Sequence, residues 1–218
     1  MRLLCVTDLH GSHPALGRIL TATGGAADMV LLGGDITNFG TPADLESIVG
    51  EILERDLPLL AVAGNCDSAT IDRRLDELGV GLHGRGRLTG SVGFQGLSAI
   101  PPWRQRMYQL TEEELTAALE TGYREIEGAA VHVVLSHVPP HGLALDRTFL
   151  FMHAGSRALR HFVDARGPAA VFCGHIHEGR GVERLGETVV VNCGAGRAGH
   201  YALAEVGSGE PQVTLCRA

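Results

Sequence analysis

Short apolar runs alternate with amphipathic segments along the first third of the chain. The apolar runs predict strands at residues 3–7, 29–32 and 59–63. Between them, helical spacing begins at Ser12, after Thr41 and at about Ser68, and Thr41 is an N-cap residue followed by a first-turn proline. Strands that alternate with helices predict parallel βαβ units, so we expect an α/β sheet covered by helices.

The rest of the chain predicts more strands and two further helices. Residues 80–100 are glycine-rich and strand-like, which favours hairpins, and a capping box at Thr111 starts a helix of about 15 residues. Another helix is predicted at 155–166. Further strands are predicted at 131–135, 169–173, 181–184, 188–192, 201–206 and 213–216. No linker or repeat interrupts the pattern, so we expect residues 1–218 to form a single domain.

Composition and charge narrow the class of protein. The 218 residues carry a net charge of −7, and all 18 basic residues are arginine, which excludes a Schiff-base lysine and a Walker-type phosphate lysine. Without a basic stripe, no long nucleic-acid groove is expected. The apolar runs are too short for a membrane helix, no signal peptide is evident, and the five cysteines are widely spaced. We therefore expect a cytoplasmic globular protein with reduced thiols and no membrane partner.

Polar side chains with metal-binding chemistry follow five of the predicted strands. The segments are Asp8-Leu9-His10, Gly34-Asp35, Gly64-Asn65, Ser136-His137 and Gly174-His175-Ile176-His177. Ligands of α/β sheets bind beyond the carboxyl ends of the strands, so parallel strands in one sheet would bring all five segments to one edge. Residues two apart in an extended chain point the same way, which pairs Asp8 with His10 and His175 with His177.

The donor types predict a site for two divalent metal ions. Seven oxygen and nitrogen donors exceed the four that one tetrahedral zinc needs, and the Asp35 carboxylate has two oxygens with which to bridge two ions. Mn²⁺ is the expected ion, with Fe or Zn²⁺ as alternatives, whereas Ca²⁺ does not favour so many histidines. Each segment alone is a weak signal, but the ordered set of five is far more specific.

Together the five segments resemble the signature of the calcineurin-like metallophosphoesterase superfamily, in its small stand-alone prokaryotic branch. The resemblance covers the chain from Asp8 to about Asn192. It implies an α/β fold, a four-layer α/β/β/α sandwich with two mixed β-sheets and a dinuclear metal site. By position, the implied ligands of one ion are Asp8, His10 and His177. The implied ligands of the other ion are Asn65, His137 and His175, with Asp35 bridging both.

One position departs from the family pattern. The family often has a histidine after Gly-Asn, where its ring donates a proton to the leaving group, whereas this chain has Cys66 followed by Asp67. A thiol with an ordinary pKa of about 8.5 is a poorer proton donor near neutrality. Cys66 nevertheless occupies a position that could contact substrate. The alternative is that it is a small side chain packed beneath the ions.

Three other side chains are candidates for the rim of the site. His141 follows two prolines and is expected to contact substrate or transfer a proton. Arg104 is expected to bind a phosphoryl oxygen, the alternative being a solvated surface arginine. Trp103, the single tryptophan, stands in an irregular loop and is expected to form a wall for an apolar or planar leaving group.

These observations predict a metal-dependent phosphoric ester hydrolase that acts on a small phosphoester. Two ions about 3.5 to 4 Å apart would activate a bridging hydroxide for in-line attack on phosphorus, with Asp35, Asn65 and His137 as catalytic residues. Because no general acid is evident, phosphodiesters and other esters with good leaving groups are the preferred substrates. Two alternatives are a non-catalytic metal-binding scaffold for protein interactions on the same fold and a metal-dependent nuclease. Homo-oligomerisation is left open.

Overall fold

The computed structural model describes residues 1–103 and 105–218, which fold into strands and helices that alternate through most of the chain. The strands are β1 (Arg2–Val6), β2 (Met29–Gly33), β3 (Leu59–Val62), β4 (Gly86–Thr89), β5 (Val92–Leu97), β6 (Val131–Ser136), β7 (Ala170–Cys173), β8 (Gly181–Leu185), β9 (Thr188–Asn192), β10 (His200–Glu205) and β11 (Gln212–Arg217). The helices are α1 (His13–Thr23), α2 (Pro42–Leu53), α3 (Ala69–Glu77), α4 (Glu112–Glu125) and α5 (Arg157–Arg166).

The strands form two mixed sheets. The first has the order β11-β10-β1-β2-β3, in which β1, β2 and β3 are parallel and the two C-terminal strands are antiparallel additions. The second has the order β4-β5-β6-β7-β9-β8, with β5, β6, β7 and β9 parallel. The predicted hairpins within 80–100 are represented by β4 and β5, which pair antiparallel.

The five ligand-bearing segments are divided between the two sheets, in keeping with the expected sandwich of two mixed sheets. β1, β2 and β3 belong to the first sheet, whereas β6 and β7 belong to the second. Short apolar runs identify buried strands, but they suit either sheet equally well and do not specify their neighbours. The two sheets are packed face to face, and so their ligand-bearing strand ends still meet.

Alternation along β1 shows how the layers are built. Leu4 and Val6 pack toward α1, α2 and α3, whereas Leu3 and Cys5 point the other way and pack against the second sheet. On the outer face of the second sheet, Val134 and Val171 pack against α4 and α5. Helices therefore cover both outer faces of the paired sheets, and the four-layer α/β/β/α prediction is confirmed.

Local signals start two of the helices as predicted. Thr41 caps α2 and Thr111 caps α4, and in both cases the carboxylate of the third helical residue, Asp44 or Glu114, accepts a hydrogen bond from the backbone N–H of the cap residue. Throughout the described part of the chain, none of the helices combines the length and apolar character needed to cross a membrane.

Candidate metal centre

Strand ends from both sheets bring the predicted ligands into one small region. Asp8 and His10 follow β1, Asp35 follows β2, Asn65 follows β3, His137 follows β6, and His175 and His177 follow β7. Backbone hydrogen bonds tie the loops together: the N–H of His10 donates to the carbonyl oxygen of Asp35 at 2.8 Å, and that of Gly174 donates to His137 at 3.0 Å. The pairing of the strands therefore also fixes the positions of the ligand side chains in the loops that follow them.

Asp8, His10 and His177 form one half of the site. Their ligand atoms lie within 4.8 Å of one another. The Nε2 atom of His177 is 3.2 Å from Oδ1 of Asp8, and the backbone N–H of His175 donates to the same carboxylate. Asp8 is completely buried, whereas His177 remains partly open to solvent. This half thus contains the three donors that the family resemblance implies for one ion.

Asp35 lies between that half and a second one. Its Oδ2 atom is 3.6 Å from Nε2 of His10, and its Oδ1 atom is 3.5 Å from Nε2 of His137. Nε2 of His137 is also 2.9 Å from Oδ1 of Asn65, and the ring centroids of His137 and His175 are 5.1 Å apart. The two oxygens of one buried carboxylate therefore face two separate groups of donors.

The backbone at the site is held in a conformation that non-glycine residues rarely adopt. The φ angles are 55° at Asp8, 47° at His10, 46° at Asp35 and 64° at His175. Left-handed φ values cost free energy and persist where surrounding contacts over-determine them, which is typical of functional sites. Four of the seven predicted ligands thus occupy strained positions.

Two glycines in the ligand segments are required by close approach. A Cβ atom at Gly64 would collide with the backbone nitrogen and the carboxylate of Asp35. A Cβ atom at Gly174 would collide with the carboxylate of Asp8 and the side chain of Thr7. The glycines in Gly64-Asn65 and Gly174-His175 therefore allow ligand loops from different strands to pack against each other.

Burial and local charge shift the pKa values of several predicted ligands, toward the metal-binding form for Asp8, His10 and His175 and away from it for His177, whose pKa is raised by the hydrogen bond to Asp8. Burial would raise the pKa of Asp8, but its hydrogen bond with His177 and the nearby His137 together hold that pKa below its usual range. Burial lowers the pKa of His10, and burial together with His137 lowers the pKa of His175 to about 3. An ionised carboxylate and neutral imidazoles are the forms that bind divalent metals.

The residues present fit divalent metal ions. Both ring nitrogens of His10 are shielded from solvent, and neither has a hydrogen-bond partner among the described residues. Buried polar atoms of this kind ordinarily have partners, so their lack of one is consistent with ligands to an ion. The donors are imidazole nitrogens and carboxylate and amide oxygens, which suit Mn²⁺, Fe or Zn²⁺.

Cys66 lies against the donors rather than at an open edge. It is 9% exposed, its N–H donates to Oδ1 of Asp35 at 2.7 Å, and its sulfur accepts from Nδ2 of Asn65 at 3.2 Å. Burial and the adjacent Asp35 raise the pKa of the thiol. The thiol is therefore an even weaker acid than a free cysteine, and its sulfur helps to orient the amide of Asn65.

Asp67 has a role that the sequence did not reveal. Its buried carboxylate accepts from the backbone N–H groups of Ile36, Thr37 and Gly64, and from the hydroxyl of Thr37, at 2.8 to 3.1 Å. It thereby joins the loop after β2 to the loop after β3. The sequence places Asp67 two residues after Asn65, but no pattern in it indicates the backbone N–H groups that this carboxylate binds.

Trp103, which is predicted to form a wall for the leaving group, lies beside His175. Its ring centroid is 6.4 Å from that of His175, and its side chain is 38% exposed. A cavity of about 330 Å³ is lined by Trp103, His175, Ile100, Met107 and Glu178. Glu178 directly follows a predicted ligand but carried no signal of its own in the sequence. An open space for part of a substrate thus adjoins the candidate centre.

The remaining rim candidates have different outcomes. His141 is partly buried, its N–H donates to the carbonyl of Ser156 at 3.0 Å, and its ring centroid is 5.3 Å from that of His153. His153 in turn is bound to the fully buried Asp146 at 2.5 Å. A substrate contact by His141 stays a prediction. Arg104 lies outside the described residues.

Comparisons with known proteins identify the family to which the chain belongs. The family model of the calcineurin-like phosphoesterase superfamily domain matches residues 1–208. An uncharacterized protein of Methanocaldococcus jannaschii is 28% identical over 198 residues, which cover 88% of this chain and 87% of the relative.

Solved structures show the same fold at low sequence identity. Protein TT1561 of Thermus thermophilus is 18% identical with a TM-score of 0.77, over 98% of this chain and 97% of that one. A dimetal phosphatase from Danio rerio is 12% identical with a TM-score of 0.61, over 98% of each chain. An archaeal phosphodiesterase is 12% identical with a TM-score of 0.54, over 99% of this chain and all of that one. With a family model that spans nearly its whole length and a sandwich shared with these structures, the chain belongs to the calcineurin-like phosphoesterase superfamily.

Proposed function

We propose that this protein is a dinuclear-metal hydrolase of small phosphate esters, with a preference for phosphodiesters. The observation that supports this most directly is the placement of Asp35, whose two oxygens face His10 on one side and His137 on the other. A single carboxylate between two donor groups is the arrangement that two ions sharing one anion require.

The proposed ligand sets follow this division. Asp8, His10 and His177 would hold one ion, Asn65, His137 and His175 would hold the other, and Asp35 would contact both. Divalent ions bound here would lower the pKa of a coordinated water and neutralise charge on the phosphoryl group.

The chain's own residues would orient this machinery. The hydrogen bond from Asn65 to the Cys66 sulfur turns the amide oxygen of Asn65 toward His137. The carbonyl of Gly33 lies 3.1 Å from Nδ1 of His137, which leaves Nε2 as the nitrogen that faces the site. The ligands are therefore preorganised by contacts that do not depend on substrate.

The preference for diesters follows from proton transfer. The Cys66 thiol, with its raised pKa, cannot readily protonate a departing oxygen at neutral pH. Esters whose leaving groups depart without protonation are the expected substrates. Among the metals that fit the donors, Mn²⁺ is our first choice and Fe or Zn²⁺ the alternatives.

The test is a substrate panel on protein stripped of metal and reloaded with Mn²⁺, Fe²⁺ or Zn²⁺. The panel contains aryl and alkyl monoesters, linear diesters, and 2′,3′- and 3′,5′-cyclic nucleotides. We expect two ions per chain and fastest turnover of diesters. Binding of metal without turnover of any phosphoester would favour a scaffold instead, and salt-sensitive cleavage restricted to polynucleotides would favour a nuclease.

Asp35→Asn tests the ligand assignment within this experiment. Replacing the shared anion with a neutral amide should weaken metal binding and lower kcat at least about a hundredfold, the cost of removing a main electrostatic element. The matched control is Asp164→Asn, which alters an exposed carboxylate on α5. Near-normal turnover and two ions per chain in Asp35→Asn would show the assignment to be wrong.

A further inference from the structure

Exposed apolar side chains gather at the edge of the fold where the candidate centre lies. Within residues 1–103 and 105–218, nine large apolar side chains are exposed. Three lie elsewhere: Leu53 in α2, Leu88 in β4 and Val182 in β8. The other six occupy the loops after β2, β5 and β6, at the carboxyl ends of parallel strands. They are Phe39, Trp103, Phe149, Leu150, Phe151 and Met152.

Residues 149–152, the apolar tip, form the most exposed part of this group. Their side chains are 83%, 70%, 81% and 51% exposed in chain order. The tip is a closed turn, because the N–H of Thr148 donates to the carbonyl of Met152 at 2.9 Å and Arg147 pairs with His153 below it. Four consecutive apolar side chains held in water by an ordered turn mark a contact surface rather than a folding defect.

The apolar tip is joined to the cavity beside the candidate centre. The backbone N–H of Phe149 donates to Oε1 of Glu178 at 2.6 Å. Glu178 lines that cavity together with Trp103 and His175. A molecule whose polar end lay at His175 would therefore extend past Trp103 toward the tip.

Phe39 places a further apolar side chain near the centre. Its side chain is 63% exposed, and its N–H donates to the carbonyl of Cys66 at 2.8 Å. Cys66 itself contacts Asp35. Apolar surface thus occurs in the loops of both sheets that adjoin the predicted ligands.

We infer that the substrate is an amphiphilic phosphoester, whose phosphoryl group occupies the centre while a hydrocarbon chain lies along Trp103 and the apolar tip. The inference rests on the proposed function and specifies its substrate class. It is favoured over a second copy of the chain because the tip is hydrogen-bonded to Glu178, a residue that lines the cavity beside His175, so a ligand held in that cavity lies next to the tip.

The experiment uses p-nitrophenyl alkyl phosphodiesters with ethyl, butyl, hexyl and octyl chains, on the metal-loaded protein below the concentration at which the esters form micelles. Hydrolysis forms a bond from the water oxygen to phosphorus and breaks the bond to p-nitrophenolate. The alkyl group stays on the product, so the leaving group is the same throughout. Complete burial of a methylene contributes about a fourfold gain. On a half-exposed surface each of the six added methylenes contributes about twofold, so we expect kcat/KM to rise about sixtyfold from ethyl to octyl.

The variant Phe149→Ser/Phe151→Asn removes apolar surface from the tip. Asparagine suits the positive φ of 58° at position 151. We expect the octyl-to-ethyl ratio of kcat/KM to fall below about fivefold, whereas a general structural defect would lower both rates and preserve the ratio. The matched control is Leu88→Ser, which removes an apolar side chain of 61% exposure from the distant strand β4 and should retain the wild-type ratio.

The outcomes separate this inference from the proposed function. Turnover of every ester at the same rate, or a chain-length gain that survives in the tip variant, would overturn the inference alone. An oligomer that the tip variant dissociates, with no chain-length gain in the wild type, would identify the tip as a contact between copies and also overturn it. No turnover of any phosphoester under any metal would overturn the proposed function itself.

Discussion

The thiol of Cys66 shows how one side chain can limit the chemistry of a site. It lies against Asp35 and accepts a hydrogen bond from Asn65, so it contributes to ligand geometry. Burial and Asp35 raise its pKa, so it does not take over the proton donation that the family's histidine provides. The same position would thereby support the proposed metal ligands and disfavour poor leaving groups.

A leaving-group series tests this dual role. In the wild type, log kcat should fall steeply as the pKa of the leaving group rises from about 7 for an aryl oxide to about 15 for an alkoxide, because departure is unassisted. Cys66→Ser should keep aryl-diester turnover within a few-fold, since no proton donor is lost. Cys66→His should raise activity selectively on poor leaving groups if the ring fits the space.

The contrary results are distinct. A shallow dependence in the wild type would mean that another group donates a proton, and His141 would be examined first. A large loss of aryl-diester turnover in Cys66→Ser, with metal content unchanged, would mean that the thiol itself takes part in the reaction.

At the scale of elements, hydrogen bonds between the loops hold the candidate ligands in place beyond the ends of the strands. Asp67 binds backbone donors in the loops after both β2 and β3, and those loops carry Asp35 and Asn65. Burial raises the pKa of Asp67 to about 6, against the opposing effect of these hydrogen bonds. The carboxylate is thus a buried acceptor whose loss leaves several donors without a partner.

Asp67→Asn should lower the free energy of unfolding by about 3 kcal/mol, because an amide has one acceptor oxygen where the carboxylate has two, and places its NH₂ group against N–H donors. Metal affinity should fall as well, because the loops after β2 and β3 lose the hydrogen bonds that join them. Urea unfolding and metal titration measure the two effects. Asp164→Asn at the exposed surface serves as the control, with a change below about 0.5 kcal/mol. A loss of less than about 1 kcal/mol in Asp67→Asn would contradict this role.

Contacts between strands and loops also decide how much of the site can be predicted from the sequence. Asp8, Asp35 and His137 could be proposed as ligands because each closely follows a buried apolar run, and strand ends are where α/β sheets present ligands. The assignment of those strands to two sheets could not be derived from the runs, because every run is apolar enough for either. Contacts such as Asp67 to Ile36 or Phe149 to Glu178 join residues about 30 positions apart, and no local pattern encodes them.

At the scale of the whole molecule, the sandwich has three apolar layers, and the layer beneath α4 and α5 lies against a histidine. His132 lies on β6 in the layer beneath α4 and α5, with its ring centroid 5.4 Å from that of Tyr123 and 5.9 Å from that of Phe162. Its Nε2 atom has no hydrogen-bond partner among the described residues. Because the His132 ring has no hydrogen-bond partner at Nε2 that would stabilise its charged form, we expect the stability of the fold to depend on pH.

Burial lowers the pKa of His132 to about 4, whereas an unfolded histidine titrates near 6.5. Between these values the unfolded chain binds the proton and the folded protein does not. The contribution of the neutral ring is therefore fully present above about pH 6.5 and is lost as the pH falls toward 4. From pH 7 to pH 4.5 the loss should be about 2 kcal/mol.

His132→Phe removes this titration and keeps an aromatic ring in the cluster. In metal-free protein, the free energy of unfolding of the variant, taken relative to that of the wild type, should therefore increase by about 2 kcal/mol as the pH falls from 7 to 4.5. Urea unfolding at both pH values measures the difference, and other titrating groups cancel because both proteins contain them. Phe162→Leu, a change without charge in the same cluster, should shift stability equally at the two pH values. A difference between His132→Phe and wild type that does not vary with pH would show that His132 takes up its proton without opening the fold, which would place water rather than apolar packing around its ring.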